Sequence, residues 1–217
     1  MFIEQPSKWL RWLYPHALWR MDEADRAVYI TFDDGPIPEA TPFILDTLKE
    51  YGVKATFFVV GDNVRKYPEL FDRIVAEGHH IGNHTYNHWG PRHTLSHYVH
   101  NVKKCQEIID ERLRENKHYQ SGMQHLVRPP HGWMRYGAYV WLRFTYTIVM
   151  WDLVTRDYSN RLNAHDVFYN VRRYARNGSI ITFHDSLKSI DKLKIALPKS
   201  LQWLKEQGYE FRLIHNS

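Results

Sequence analysis

Residues 28–36 read VYITFDDGP, and the rest of the chain is best read outward from this stretch. Five residues of the branched and aromatic kinds that strands prefer run into two adjacent acids, Asp33 and Asp34. Asp34–Gly35 is a favoured hairpin corner, but no matching strand follows within a few residues. Residues 39–51 follow instead, with apolar positions at helical spacing. Two acids side by side repel unless a cation sits nearby. The stretch therefore reads as a strand that delivers charged groups at its carboxyl end and hands over to a helix.

The same alternation continues along the chain. Residues 54–60, 126–128, 146–151 and 179–183 read as strands, with a short segment around Ile81. Residues 67–77, 95–115, 138–144, 164–176 and 193–207 read as helices. Asn163 followed by Asp166 marks a helix start, while Gly78, Gly178 and Gly208 stand where helices should stop. Apolar strands alternating with helices predict a parallel sheet covered by helices, open or closed into a barrel. No repeat or linker divides the chain, so one α/β domain is expected over residues 27–217, preceded by an extension over residues 1–26.

Composition narrows the function classes. At 217 residues and 43% hydrophobic content the chain can bury a sizeable core. The lone Cys105 excludes an intrachain disulfide and a cysteine-rich zinc module, and reads as a small buried hydrophobe. A net charge of +5, with basic residues scattered rather than massed, argues against a nucleic-acid partner. Residues 1–26 hold no continuous apolar stretch and no small-residue cleavage site, which predicts no cleavable signal, and no run is long enough to span a bilayer. Trp9, Trp12, Leu13 and His16 fall at helical spacing. The favoured reading is a helix capping the domain with its tryptophans buried; the other is peripheral contact with an anionic membrane.

The polar residues gather where α/β folds place their chemistry, at the carboxyl ends of strands. Asp33 and Asp34 end the first strand, His84 and His88 follow Ile81, Arg128 ends another, Asp152 and Asp157 follow residues 146–151, and His184 with Asp185 close the last. His84-x-x-x-His88 is a spacing that puts two imidazoles on one face of a helical turn and is used for zinc. With an aspartate from another strand end it forms a two-His, one-carboxylate face that suits Zn²⁺ and also serves Fe(II). His93 and His97 repeat the spacing and are assigned no role.

In this order TFDDGP, HTYNH, RPPHG, WDLVTRDY and TFHD, spanning Thr31 to Asp185, resemble the NodB-like polysaccharide deacetylases, the fourth carbohydrate esterase family. The resemblance implies an irregular (β/α) barrel that uses one divalent metal, Zn²⁺ first and Co, Ni, Mn or Fe as alternatives, to remove acetyl groups from N-acetylated sugars of a polysaccharide or cell-wall glycan. By position it implies Asp34, His84 and His88 as metal ligands and Asp33 as general base held by Arg128. It also implies the His131 backbone N–H as oxyanion donor and His184 as general acid oriented by Asp157. Such a base and acid predict a bell-shaped rate profile. Four positions depart from the pattern: His131 stands for Tyr or Phe, Val154 for Asp, Tyr158 for Trp, and Thr182 for the Leu that helps hold the acetyl methyl. Trp89, Trp133 and Tyr158 flank the motifs and divide evenly between cleft and core. His79 and His80 read as hydrogen-bonding groups near the site, Asp185 as a helix N-cap, and Asp152 as a supporting group outside the catalytic set. The competing readings are hydrolysis of a small linear or cyclic amide on the same site, and a non-catalytic glycan-binding relative.

Overall fold

The computed structural model describes residues 4–21, 24, 26–90, 92–117 and 125–214. At its centre lies β1 (Ala27–Asp33), all seven residues of which are buried. Burial on both faces is why the segment reads as a nearly continuous apolar run rather than an alternating one. One edge of β1 pairs along its length with β7 (Ser179–His184). The other edge is shared, β2 (Thr56–Val59) taking Thr31–Asp33 and β8 (Glu210–Phe211) taking Ala27 and Val28. With β3 (His80–Asn83), β4 (Leu126–Val127), β5 (Thr147–Ile148) and β6 (Leu153–Val154), the order is β5-β4-β3-β2-β1-β7-β6, and every pairing is parallel.

Parallel neighbours need crossovers, and helices supply most of them. These are α2 (Thr41–Glu50), α3 (Gly61–Lys66), α4 (Pro68–Ala76), α5 (Leu95–Glu115), α6 (Tyr136–Leu142), α7 (Ala164–Tyr174) and α8 (Ile190–Glu206), after the short N-terminal α1 (Lys8–Leu13). Val28, Ile30 and Phe32 face the helices, where Phe32 stacks between Phe57 at 5.1 Å and Phe183 at 5.7 Å. Tyr29 on the opposite face packs with Phe58, Leu126, Val149 and Ile180 inside the curled sheet. The helix start expected at Asn163 is a capping box, with Asn163 accepting from the Asp166 N–H and Asp166 accepting from the Asn163 N–H.

The N-terminal segment fills the opening between the sheet's two ends. Leu18 bridges to Val149 and Arg20 to Ser179. Asp152 takes hydrogen bonds from Arg11, Arg176 and the Ser179 hydroxyl, at 2.5–2.8 Å. Its predicted supporting role is therefore a structural one, tying α1 to the sheet.

The tryptophans of this segment depart from expectation. Trp9 and Trp12 are 59% and 75% exposed, and only Trp19 is buried. The stripe that meets the body is Leu10, Leu13 and Tyr14, an i, i+3, i+4 set, and it turns residues 9 and 12 outward. Two-residue strands such as β6 and β8 carry too little periodicity to be read from sequence. Among the described residues no helix is long and apolar enough to cross a membrane.

Candidate metal centre and active site

Strand period two places Thr31 and Asp33 on one face of β1, and Thr182 and His184 on the matching face of β7. The register pairs them directly, Thr31 with Thr182 and Asp33 with His184. Ascending the inside of the sheet, apolar side chains give way to a threonine layer and then to an acid beside an imidazole. The polar groups are thus held by rigid strands at their carboxyl ends.

Arg128 is the pivot of this layer and is 1% exposed. Its Nη1 donates to Asp33 Oδ1 at 2.6 Å and to Thr31 Oγ1 at 2.8 Å, and its Nη2 donates to the Met150 carbonyl at 2.8 Å. The guanidinium also lies 4.0 Å over the Phe58 ring. A fully buried cation requires such satisfaction, and the Asp33 carboxyl is fixed in return.

One ligand atom from each of Asp34, His84 and His88 lies within 4.8 Å of the other two. His84 Nδ1 is 2.8 Å from the Arg128 carbonyl, which can only accept, so Nδ1 carries the hydrogen and Nε2 keeps its lone pair. Burial pushes the His84 pKa down to about 4, against the pull of Asp33, and the ring is neutral at physiological pH. Asp34 Oδ1 lies 3.1 Å from His88 Nε2 and 3.6 Å from His84 Nε2, yet this buried oxygen has no hydrogen-bond partner. Burial alone would raise the Asp34 pKa, but the imidazoles of His88, His184 and His84 hold it well below the usual carboxylate range. The free Nε2 lone pair of His84, the His88 imidazole and an unpartnered carboxyl oxygen of Asp34 converging on one point fit a divalent cation.

The loop carrying His84 and His88 is not the helical turn expected from its spacing. Thr85 and His88 have positive φ (66° and 56°), which an α-helix forbids. Side-chain amides hold the loop instead. Asn83 Oδ1 accepts from the Thr85 N–H, and Asn101 Oδ1, reaching in from α5, accepts from the Tyr86 and Asn87 N–H groups. Asp34, His131 and Arg156 complete the positive-φ set outside glycine among the described residues, so all five lie in the strand-end loops. Each such conformation costs on the order of 1–3 kcal/mol, and their confinement to one end of the molecule marks it as a functional site.

Opposite the ligand cluster, His184 Nδ1 is 2.8 Å from Asp157 Oδ1, while its backbone N–H donates to Asp157 Oδ2 at 2.7 Å. Burial would lower the His184 pKa, but the Asp157 charge and hydrogen bond, with Asp34 and Asp33 behind them, raise it to about 9. The half-buried Tyr158 sets its ring edge-on at 4.7 Å from the His184 ring.

His131 sits at φ 61° in a 3-10 turn, its ring 4.8 Å from that of His88, and its backbone N–H has no partner among the described residues. The Thr182 hydroxyl lies 3.2 Å from that of Thr31, which joins it to the Arg128 network. Trp89 stacks on His93 at 3.9 Å, which gives that histidine a packing partner. Cys105 is buried, as expected.

Two expectations fail. His79 lies at the amino end of β3, where its Nδ1 accepts from the Ala55 N–H at 3.1 Å, so it is at the far end of the strand from the site. Asp185 caps no helix, since α8 starts after Ser189. It is buried behind the Asp33–Asp34 loop, accepting from the Thr41 hydroxyl at 2.7 Å, and burial together with the Asp34 charge pushes its pKa up to about 8. A methyl group at Gly35 would lie 2.1 Å from Asp185 Oδ2. Gly35→Ala is therefore expected to cost about 1–3 kcal/mol in chemical denaturation and to disturb the loop; an unchanged midpoint would contradict this packing. Thr31 had been assigned no role, although its place two residues before Asp33 on one strand face was the signal that could have found it, whereas nothing in the sequence pointed to Asn101.

Comparison with known proteins agrees with this geometry. The polysaccharide deacetylase family model matches residues 20–142. The chain is 32% identical over 199 residues to a peptidoglycan-N-acetylglucosamine deacetylase of Bacillus cereus, covering 90% of each. It is 31% identical over 192 residues to the peptidoglycan-N-acetylmuramic acid deacetylase PdaC of Bacillus subtilis, covering 88% of this chain and 38% of that longer protein. The crystal structure of the Bc1960 peptidoglycan N-acetylglucosamine deacetylase superposes with a TM-score of 0.81 at 33% identity, covering 94% of this chain and 93% of that one. The parallel strands, curled into a half-barrel and covered by helices, are the fold of that group, and the chain belongs to the polysaccharide deacetylase family, carbohydrate esterase family 4.

Proposed function

We propose that this protein is a divalent-metal-dependent hydrolase that removes acetyl from the N-acetylated sugars of a peptidoglycan-type glycan, with Zn²⁺ held by Asp34, His84 and His88. The observation that carries the reading is the convergence of these three ligand atoms at the strand end that also carries Asp33 and His184. When bound, the cation supplies Lewis-acid polarisation of the acetamide carbonyl and a lowered pKa for water. Asp33, outside the ligand set and fixed by Arg128, takes the proton of the attacking water. The His131 N–H donates to the developing oxyanion, where one such donor contributes about 3 kcal/mol. His184 then gives its proton to the departing nitrogen, which cannot leave as an amide anion.

The sign of the alkaline limb follows from His184. Its acid form is required, so activity falls as pH rises through its pKa. In Asp157→Asn the carboxyl that raises this pKa is gone, and the limb of kcat/KM moves down by about 1–3 pH units. A limb that stays in place would remove His184 as the acid.

The function is tested by acetate release, with and without chelator, from chitooligosaccharides, soluble peptidoglycan fragments and small cyclic amides. Chelator-sensitive release from the glycans is expected. Turnover of the cyclic amides alone, or of none of the panel, would overturn the reading.

A further inference from the structure

Beyond the His131 side of the site lies a groove of about 490 Å³, whose lining includes Trp9, Leu13, Arg92, Trp133, Arg135 and Tyr136. Trp133 follows His131 by two residues, and the His131 ring lies 4.8 Å from that of His88, so the loop that lines the groove also reaches the metal cluster. The Trp9 and Trp133 rings lie 6.4 Å apart and 20° from parallel. Large flat rings set side by side with 59% and 38% of their surface in water are unusual unless something covers them.

The pair is held in place. The Tyr14 hydroxyl donates to the Met134 carbonyl at 2.5 Å and lies 3.2 Å from the Met134 N–H, which ties the segment after α1 to the loop carrying Trp133. Arg11 anchors the helix itself on the buried Asp152. Among the described residues neither Arg92 nor Arg135 has a carboxylate within ion-pair distance, so the groove presents two uncompensated guanidinium groups beside its aromatic floor.

A pyranose ring offers a flat face of C–H bonds to such rings, and its hydroxyl and carboxylate substituents offer acceptors to arginine. We propose that this groove is a subsite for a carboxylate-bearing glycan strand, seating sugars beyond the one whose acetyl group is removed, and that the N-terminal segment supplies one wall of it. The inference rests on the deacetylation reading and names which kind of glycan that site would take. Uncompensated positive charge favours a strand with carboxylates over a neutral one. Trp12, the most exposed tryptophan of α1, lies outside the groove lining.

The test is calorimetric titration of the full chain carrying Asp33→Asn, which slows turnover during the titration, with soluble peptidoglycan oligosaccharides and with chitooligosaccharides of equal length. Trp9→Ala is expected to weaken binding of the peptidoglycan oligosaccharides about tenfold, and Trp9→Tyr to recover most of the loss. Arg135→Gln should weaken the carboxylate-bearing oligomers more than the neutral ones, and Trp12→Ala should change neither. Trp9→Ala binding both oligomers as the parent does would overturn the subsite. So would glycan binding that is indifferent to Trp9 while Trp9 and Trp12 contribute equally to cosedimentation with phosphatidylglycerol vesicles, which would make α1 a membrane contact. A wild-type protein that binds the oligosaccharides through Trp9 but releases no acetate from them would support the groove and remove the deacetylation reading instead.

Discussion

Asp33→Asn is expected to lower kcat by about 10²–10⁴-fold while leaving the metal in place. Asparagine has nearly the same shape, and its carbonyl oxygen can still accept from Arg128 Nη1, which lies 2.6 Å from the native Oδ1. It cannot take a proton from water. Asp33 is also not one of the three residues whose ligand atoms cluster within 4.8 Å, so metal content should survive. Parallel measurement of turnover and of metal by elemental analysis separates the two effects. A variant with wild-type kcat would end the role of Asp33 as base, and one that loses its metal would place Asp33 among the ligands.

The largest expected effect on stability falls far from the chemistry, at Asp152. This acid is completely buried, while its partners Arg11 and Arg176 keep 31% and 45% of their side chains in water. Deleting one member of a buried ion pair commonly costs about 3–5 kcal/mol. Because both guanidinium groups can turn to solvent, Asp152→Ala should sit near the lower end, with a melting temperature lowered by about 6–12 °C. Burial opposes ionisation of Asp152, but hydrogen bonds from Arg176, Ser179 and Arg11 hold its pKa below the usual value. Its contribution is therefore present above the unfolded-state pKa near 3.8 and is lost as pH falls through the folded value. Wild type and variant should converge in acid. Equal melting temperatures at pH 7 would show that α1 is not tied down here.

The strands and helices with strong periodicity were legible from their residues. Residues 95–115 formed α5 with the expected bounds, and the buried run of β1 followed from its unbroken apolar content. The acids and imidazoles at strand ends were legible because a parallel sheet puts its chemistry at one edge. The local shape of the His84–His88 loop was not, since it is dictated by Asn101 on a helix that packs there only in the folded chain. The same is true of α1, where Leu10 and Leu13 won the buried face from the tryptophans. Asp185 looked like a cap because it follows a strand and precedes a helix. Its actual partners, Thr41 and Gly35, come from a segment about 150 residues earlier.

The most direct measurement of the central claim is zinc stoichiometry after equilibrium dialysis, on wild type and on His84→Ala and His88→Ala, paired with acetate release from peptidoglycan oligosaccharides. One ion per chain in the wild type, lost together with acetate release in both variants, is the predicted result. Full zinc content in either variant, or acetate release that persists after the ion is removed, would contradict it.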